Sequence, residues 1–194
     1  MTGTLDIFRA LSDEVRLFAK QPDAWDITGL SRLAADWAKT SPADAALAAS
    51  RLNEPAKRAA MFDSVFAQWL KQSPTAASAW AQALPVGPAR DDASAAIAFA
   101  AVNEDAEGGM VWALSVNDAN RRAAATDRAF AAWIQHDSAS ALNWLNAGAA
   151  GASATTLQHL NELFAEASAR PAKVGAFTKT TINGVKVYQA GGAR

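Results

Sequence analysis

The chain has no cysteine and only two histidines among its 194 residues. Without thiols it can form no disulfide and offers no thiolate metal site. His136 adjoins Asp137, and His159 has Glu162 one helical turn on. That pair supplies two ligands at most, where a metal centre needs three or four. There is no Gly-x-x-x-x-Gly-Lys loop, no Gly-x-Gly-x-x-Gly run and no serine inside Gly-x-Ser-x-Gly. The signatures of phosphate cradles, dinucleotide turns and nucleophile elbows are therefore missing. We expect no catalytic, cofactor-binding or metal-binding residues, hence no enzyme and no cofactor. No apolar run resembles a membrane span, and no basic region leads into an apolar one after Met1. A cytoplasmic protein that does not engage membranes is the default.

What the chain does have is a period. Trp37, Trp69 and Trp133 lie in one 32-residue register, and Trp80, Trp112 and Trp144 lie in another. Other columns keep the same step. Ser41, Ser73, Asp105 and Asp137 are residues whose side-chain oxygens suit helix N-caps, and Pro42 and Pro74 follow two of them at the position that tolerates a missing N–H. Arg58, Arg90 and Arg122 form a further column, and Leu52, Leu84 and Val116 another. Tandem repeats follow from this.

Each unit is expected to be two short helices. The first runs from the cap through the second tryptophan register, as in Ser73 to Leu84, and stops before the Pro85-Val-Gly-Pro88 turn. Pro88 then opens the second helix, as Pro55 does one unit earlier. Val65, Phe66, Trp69 and Leu70, or Phe130, Trp133 and Ile134, give that second helix one apolar face. Helices this short are unstable alone, so stacking units must bury the faces. Ala45, Ala77, Gly109 and Ala141 occupy one column on the first helix and would allow close approach, with the tryptophans filling the space between units.

One stretch departs from its own repeat. Asn103-Glu-Asp-Ala-Glu-Gly-Gly-Met110 places two glycines where other units have helix formers or small residues, which predicts a weaker helix and a flexible joint or altered contact face. Glu104, Asp105 and Glu107 suit a helix N-terminus rather than a calcium loop. The same unit has Phe99 and Ala101 where a second-helix tryptophan belongs.

The ends differ again. Residues 5 to 20 carry Phe8, Leu11, Val15 and Phe18 at helical spacing and suit an N-terminal cap, while Leu157, Leu160, Leu163 and Phe164 predict a last helix over Ser153 to Ser168. After Pro171, β-branched residues flank Asn183-Gly184, a dipeptide suited to a two-residue hairpin turn. An isolated hairpin is marginal in water. Docking on the array, pairing with a partner or a second copy, and disorder all stay open.

Charge divides at the same boundary. No acid follows Glu166, while Arg170, Lys173, Lys179, Lys186 and Arg194 do, so this segment is +5 and the rest −6 within a net −1. Nucleic acid or an acidic partner is one reading of this arm, with Phe177 and Tyr188 as stacking residues beside Lys179 and Lys186. Neutralisation by the acidic array is the other. The arginine column also admits two readings. Arg58, Arg90 and Arg122 could meet a partner's carboxylates or phosphates, or could reach the carbonyls that end the preceding helix.

The run Pro74-x-x-Ala77-x-Ala79-Trp80 resembles the opening of a tetratricopeptide helix, although the period is 32 rather than about 34, and Leu84 and Gly87 stand where that family commonly has glycine and tyrosine. More broadly, residues 30 to 148 are similar to the alanine- and tryptophan-rich tandem helical repeats of large bacterial proteins. The resemblance implies a right-handed α-solenoid serving as an interaction scaffold. The expected fold is all-α, an α-solenoid of tandem helix-turn-helix repeats with a C-terminal β-hairpin or extended tail. Its expected divisions are an N-terminal cap at residues 1–29, the array at 30–169 and the basic segment at 170–194. The expected function is noncatalytic binding of a protein or peptide, with nucleic-acid binding through the arm as the alternative.

Overall fold

The computed structural model describes residues 13–169 and the backbone of residues 177–182 and 185–190. Residues 13–20 are helical (α1), and a short 3-10 turn at Pro22–Ala24 follows. The chain then runs through α2 (Ile27–Ala38), α3 (Pro42–Ser50), α4 (Pro55–Gln72), α5 (Pro74–Ala83) and α6 (Pro88–Ala101). It continues through α7 (Ala106–Leu114), α8 (Ala119–His136), α9 (Ser138–Asn146) and α10 (Ala154–Ala169). Residues 13–169 are all-α.

The repeat reaches down to single backbone bonds. The amides of Ser41, Ser73, Asp105 and Asp137 donate to the carbonyls of Trp37, Trp69, Ala101 and Trp133 at 2.9, 2.8, 2.8 and 2.7 Å, ending one helix. The same residues then start the next. The side chains of Ser73, Asp105 and Asp137 accept from the amides of Ala76, Gly108 and Ser140, as the cap column requires. Ser41 departs from the column, because its side chain makes no cap hydrogen bond. Pro42, Pro55, Pro74 and Pro88 each open a helix, where their locked φ fits and no donor is lost. Gly87, at φ 152°, makes the entry to α6.

The second helices are longer than the expected short pair. α4 and α8 each span 18 residues, because no proline or glycine interrupts them and their apolar faces persist for several turns. α6 has 14 residues and ends three positions earlier in the 32-residue register. α2 begins at Ile27 under an Asp26 cap, slightly before residue 30.

Packing joins near neighbours in sequence. α2 lies on α4, α4 on α6, α6 on α8 and α8 on α10, while α3, α5, α7 and α9 each rest on the long helices that flank them. Ala45, Ala77 and Ala141 are fully buried, as the small-residue column implies. Trp69, Trp133 and Trp144 are buried, and Trp37, Trp80 and Trp112 are half-buried against the same core. The two registers meet across unit boundaries: Trp69 and Trp80 have ring centroids 6.0 Å apart, and Trp133 and Trp144 5.5 Å. At the N-terminal end Phe18 of α1 takes the missing aromatic place, lying edge-on to Trp25 and Trp37. Leu160 of α10 closes the other end of the core. Phe8 and Leu11 lie outside the described residues.

The glycine-rich stretch forms a helix with specific contacts. A Cβ on Gly109 would come within 2.8 Å of the Ala98 carbonyl, so the glycine sets how closely α7 approaches α6. A Cβ on Gly108 would meet the capping carboxylate of Asp105. Both glycines thus make contacts that a side chain would block. Beyond the helices, β1 (Phe177–Ile182) and β2 (Val185–Ala190) pair antiparallel, Phe177 opposite Ala190 and Ile182 opposite Val185. Asn183 and Gly184 lie outside the described residues.

Candidate functional site

The arginine column points inward. Arg58, Arg90 and Arg122 each send Nη1 to the carbonyl six residues back, Leu52 at 2.9 Å, Leu84 at 3.5 Å and Val116 at 2.9 Å. Each guanidinium therefore ties down the turn between a short helix and the long helix that carries the arginine. Arg58 is only 6% exposed, and Arg90 and Arg122 are half-buried.

Two acids not singled out from the sequence complete this edge. Asp92, in the first turns of α6, accepts from Arg58 Nε at 2.6 Å and from Arg121 Nη1 at 2.5 Å, linking α4, α6 and α8. Asp91 is buried and accepts from the amides of Asn117 and Asp118 at 2.9 and 3.1 Å. Each carboxylate is satisfied within the protein, so this network holds units together rather than awaiting a ligand. The signal was available as separation: Arg58 and Asp92 are 34 residues apart, close to one period.

Toward the C-terminal ends of the long helices the surface is open. A groove of about 450 Å³ has α6 as its floor, with Phe99, Ala100 and Asn103, and α4 and α8 as its walls. The walls arise because α4 and α8 continue past the register at which α6 stops. Lys71 from α4 and Gln135 and His136 from α8 thereby stand beside Asn103 in the turn. Lys71, Asn103 and Gln135 fall at 32-residue steps, a further column of the repeat.

One end of the groove is closed by a bridge. Arg128 of α8 crosses α6 to pair with Asp63 of α4 at 2.9 Å, and its guanidinium lies 3.7 Å from the Phe99 ring centroid. The bridge consumes Asp63, the acid lining the groove. Lys71, Asn103 and Gln135 are exposed and form no side-chain hydrogen bond among the described residues.

The strand register groups the candidates from the C-terminal segment. Lys179 faces Tyr188, Thr181 faces Lys186 and Phe177 faces Ala190.

Among the described residues no group of three or more His, Asp or Glu is placed to hold a metal ion. No described helix is long and apolar enough to cross a membrane. No protein-family model, curated protein or solved structure matches the chain.

Proposed function

We propose that the chain is a noncatalytic scaffold, an α-solenoid of helical hairpins of the alanine- and tryptophan-rich type, that binds a protein or peptide on the open face of its long helices. Packing that falls mainly between neighbouring units supports the solenoid reading, because such arrays extend a surface by adding units rather than enclosing a pocket. The observation that carries the binding site is the groove over α6, where exposed polar groups without side-chain partners among the described residues flank a half-exposed aromatic floor. The arginine column is assigned a structural role on this reading, since each guanidinium directs Nη1 to a carbonyl of its own turn.

Capture from native lysate tests it, comparing the wild type with Ala100→Trp, which fills the groove floor. A partner held by the wild type and lost by Ala100→Trp, with helical content unchanged by circular dichroism, supports the proposal. A partner held equally by both removes the groove from the function.

A second reading places binding on the C-terminal segment, as a β-hairpin turning at Asn183-Gly184. The composition of the segment favours it, because cations that include Lys179 and Lys186, with Phe177 and Tyr188 and no acid among them, suit nucleic acid or an acidic protein. Residues 100–169 weigh against it. They carry eight acids and three bases, a net −5 that matches the +5 of the segment and lies next to it in the chain. Binding through the arm should fall steeply with salt and disappear when the chain ends at Ala169. Binding in the groove should survive the truncation.

A further inference from the structure

We infer that the groove over α6 takes an extended peptide that crosses the long helices and seats an acidic side chain on Lys71. This rests on the scaffold reading above and adds the chemistry of the occupant.

The extended form follows from the Asn103 and Gln135 amides. A carboxamide both donates and accepts, so it can pair with the N–H and C=O of one peptide unit. Only a chain whose backbone groups are unpaired has such units to offer; a helical ligand has already spent them internally. Spacing agrees. Adjacent packed helices lie about 8–10 Å apart, and an extended chain covers that distance in about three residues. Lys71, Asn103 and Gln135, one on or just beyond each of three successive long helices, would therefore meet every third residue of a strand laid across them. Phe99 and Ala100 between them give an apolar floor for an intervening side chain.

The acidic preference follows from the charge left over. Of the groove's charged residues, Asp63 is paired with Arg128. Lys71 keeps its ammonium exposed, with no carboxylate partner among the described residues, and His136 on the facing wall adds no negative charge. A ligand carboxylate at that end completes the set, whereas a basic side chain would meet Lys71 directly.

Selection from a displayed random heptapeptide library on the full chain tests this, repeated on Lys71→Glu and on the double variant Asn103→Ala/Gln135→Ala. All three positions are exposed, so the variants are expected to keep their helical content. The wild type should enrich peptides with Asp or Glu at a fixed distance from an apolar residue. A chosen peptide should bind Lys71→Glu at least about tenfold more weakly. Selection on Lys71→Glu should turn to Lys- or Arg-bearing peptides. The double variant should weaken all of them without changing the charge preference.

Enriched peptides indifferent to these substitutions would overturn the inference while leaving the scaffold reading in place. Displacement of the selected peptide by a synthetic peptide of residues 170–194 would also overturn it, by making the groove the seat of the chain's own segment. No enrichment above an unrelated helical protein would overturn both.

Discussion

Arg58 and Asp92 meet at 2.6 Å between α4 and α6, with side chains 8% and 12% exposed. The two residues differ in what they hold besides each other. Asp92 also binds Arg121, whereas Arg58 has, among the described residues, only a backbone carbonyl in addition. Asp92→Ala strands a buried cation and should cost about 3 kcal/mol. Arg58→Met leaves Asp92 paired with Arg121 and should cost less. Urea midpoints of the two variants check the order, and a larger loss for Arg58→Met would place the weight of this edge elsewhere.

The arginine column should show a graded effect. Arg122 donates to Val116 and Asn117 at 2.9 and 3.2 Å, while Arg90 makes one long contact of 3.5 Å. Arg122→Gln should cost about 1 kcal/mol and Arg90→Gln under about 0.5 kcal/mol. Equal losses in denaturant titrations would mean that these bonds do not set the energetics of the turns.

Gly108 and Gly109 should respond to alanine with different outcomes. At 109 the obstacle is backbone, 2.8 Å away, so α7 must move off α6 at a cost of about 1–3 kcal/mol, more than the helix-propensity gain of about 1 kcal/mol. At 108 the obstacle is the Asp105 carboxylate, which can rotate away. The lost cap and the gained propensity are each about 1 kcal/mol, so Gly108→Ala should be near neutral. Thermal unfolding of the two variants distinguishes them.

Trp133 and Trp112 belong to different columns and should fail differently. Trp133 is 2% exposed, and Trp133→Ala should cost about 3–5 kcal/mol. Trp112 is half-buried but rests on both apolar clusters, one built from α1 to α6 and the other from α6 to α10. Trp112→Ala should cost about 2 kcal/mol, scaled from full burial. It should also broaden the transition, because coupling between neighbouring units is what keeps an array cooperative. An unbroadened transition by circular dichroism would remove Trp112 as the link.

The helices and their order were legible because the period is written in residue types that each do one local thing. A cap oxygen, a proline at the first turn and a small residue at a close approach need no knowledge of distant chain. Helix length was less legible. α6 ends early through the turn at residues 102–104, and the consequence, a groove between α4 and α8, exists only once three helices are packed side by side. The Asp63–Arg128 bridge joins residues 65 apart, two units away, across a helix that contributes only the ring beneath it. Asp91 and Asp92 read as ordinary first-turn acids until the turn before α8 is folded against them. Pairs about one period apart carried more information than any single column: Gln72 reaches the Ala38 carbonyl 34 residues back, and His159 reaches Asp127 32 residues back.

Hydrogen exchange read by mass spectrometry, on the full chain alone and with a captured partner bound, tests the location of binding most directly. Slowed exchange at the last turns of α4, α6 and α8, residues 67–72, 99–104 and 132–137, is the expected result. Slowing confined to α3, α5, α7 and α9, or to residues 177–190, would contradict binding on the long-helix face.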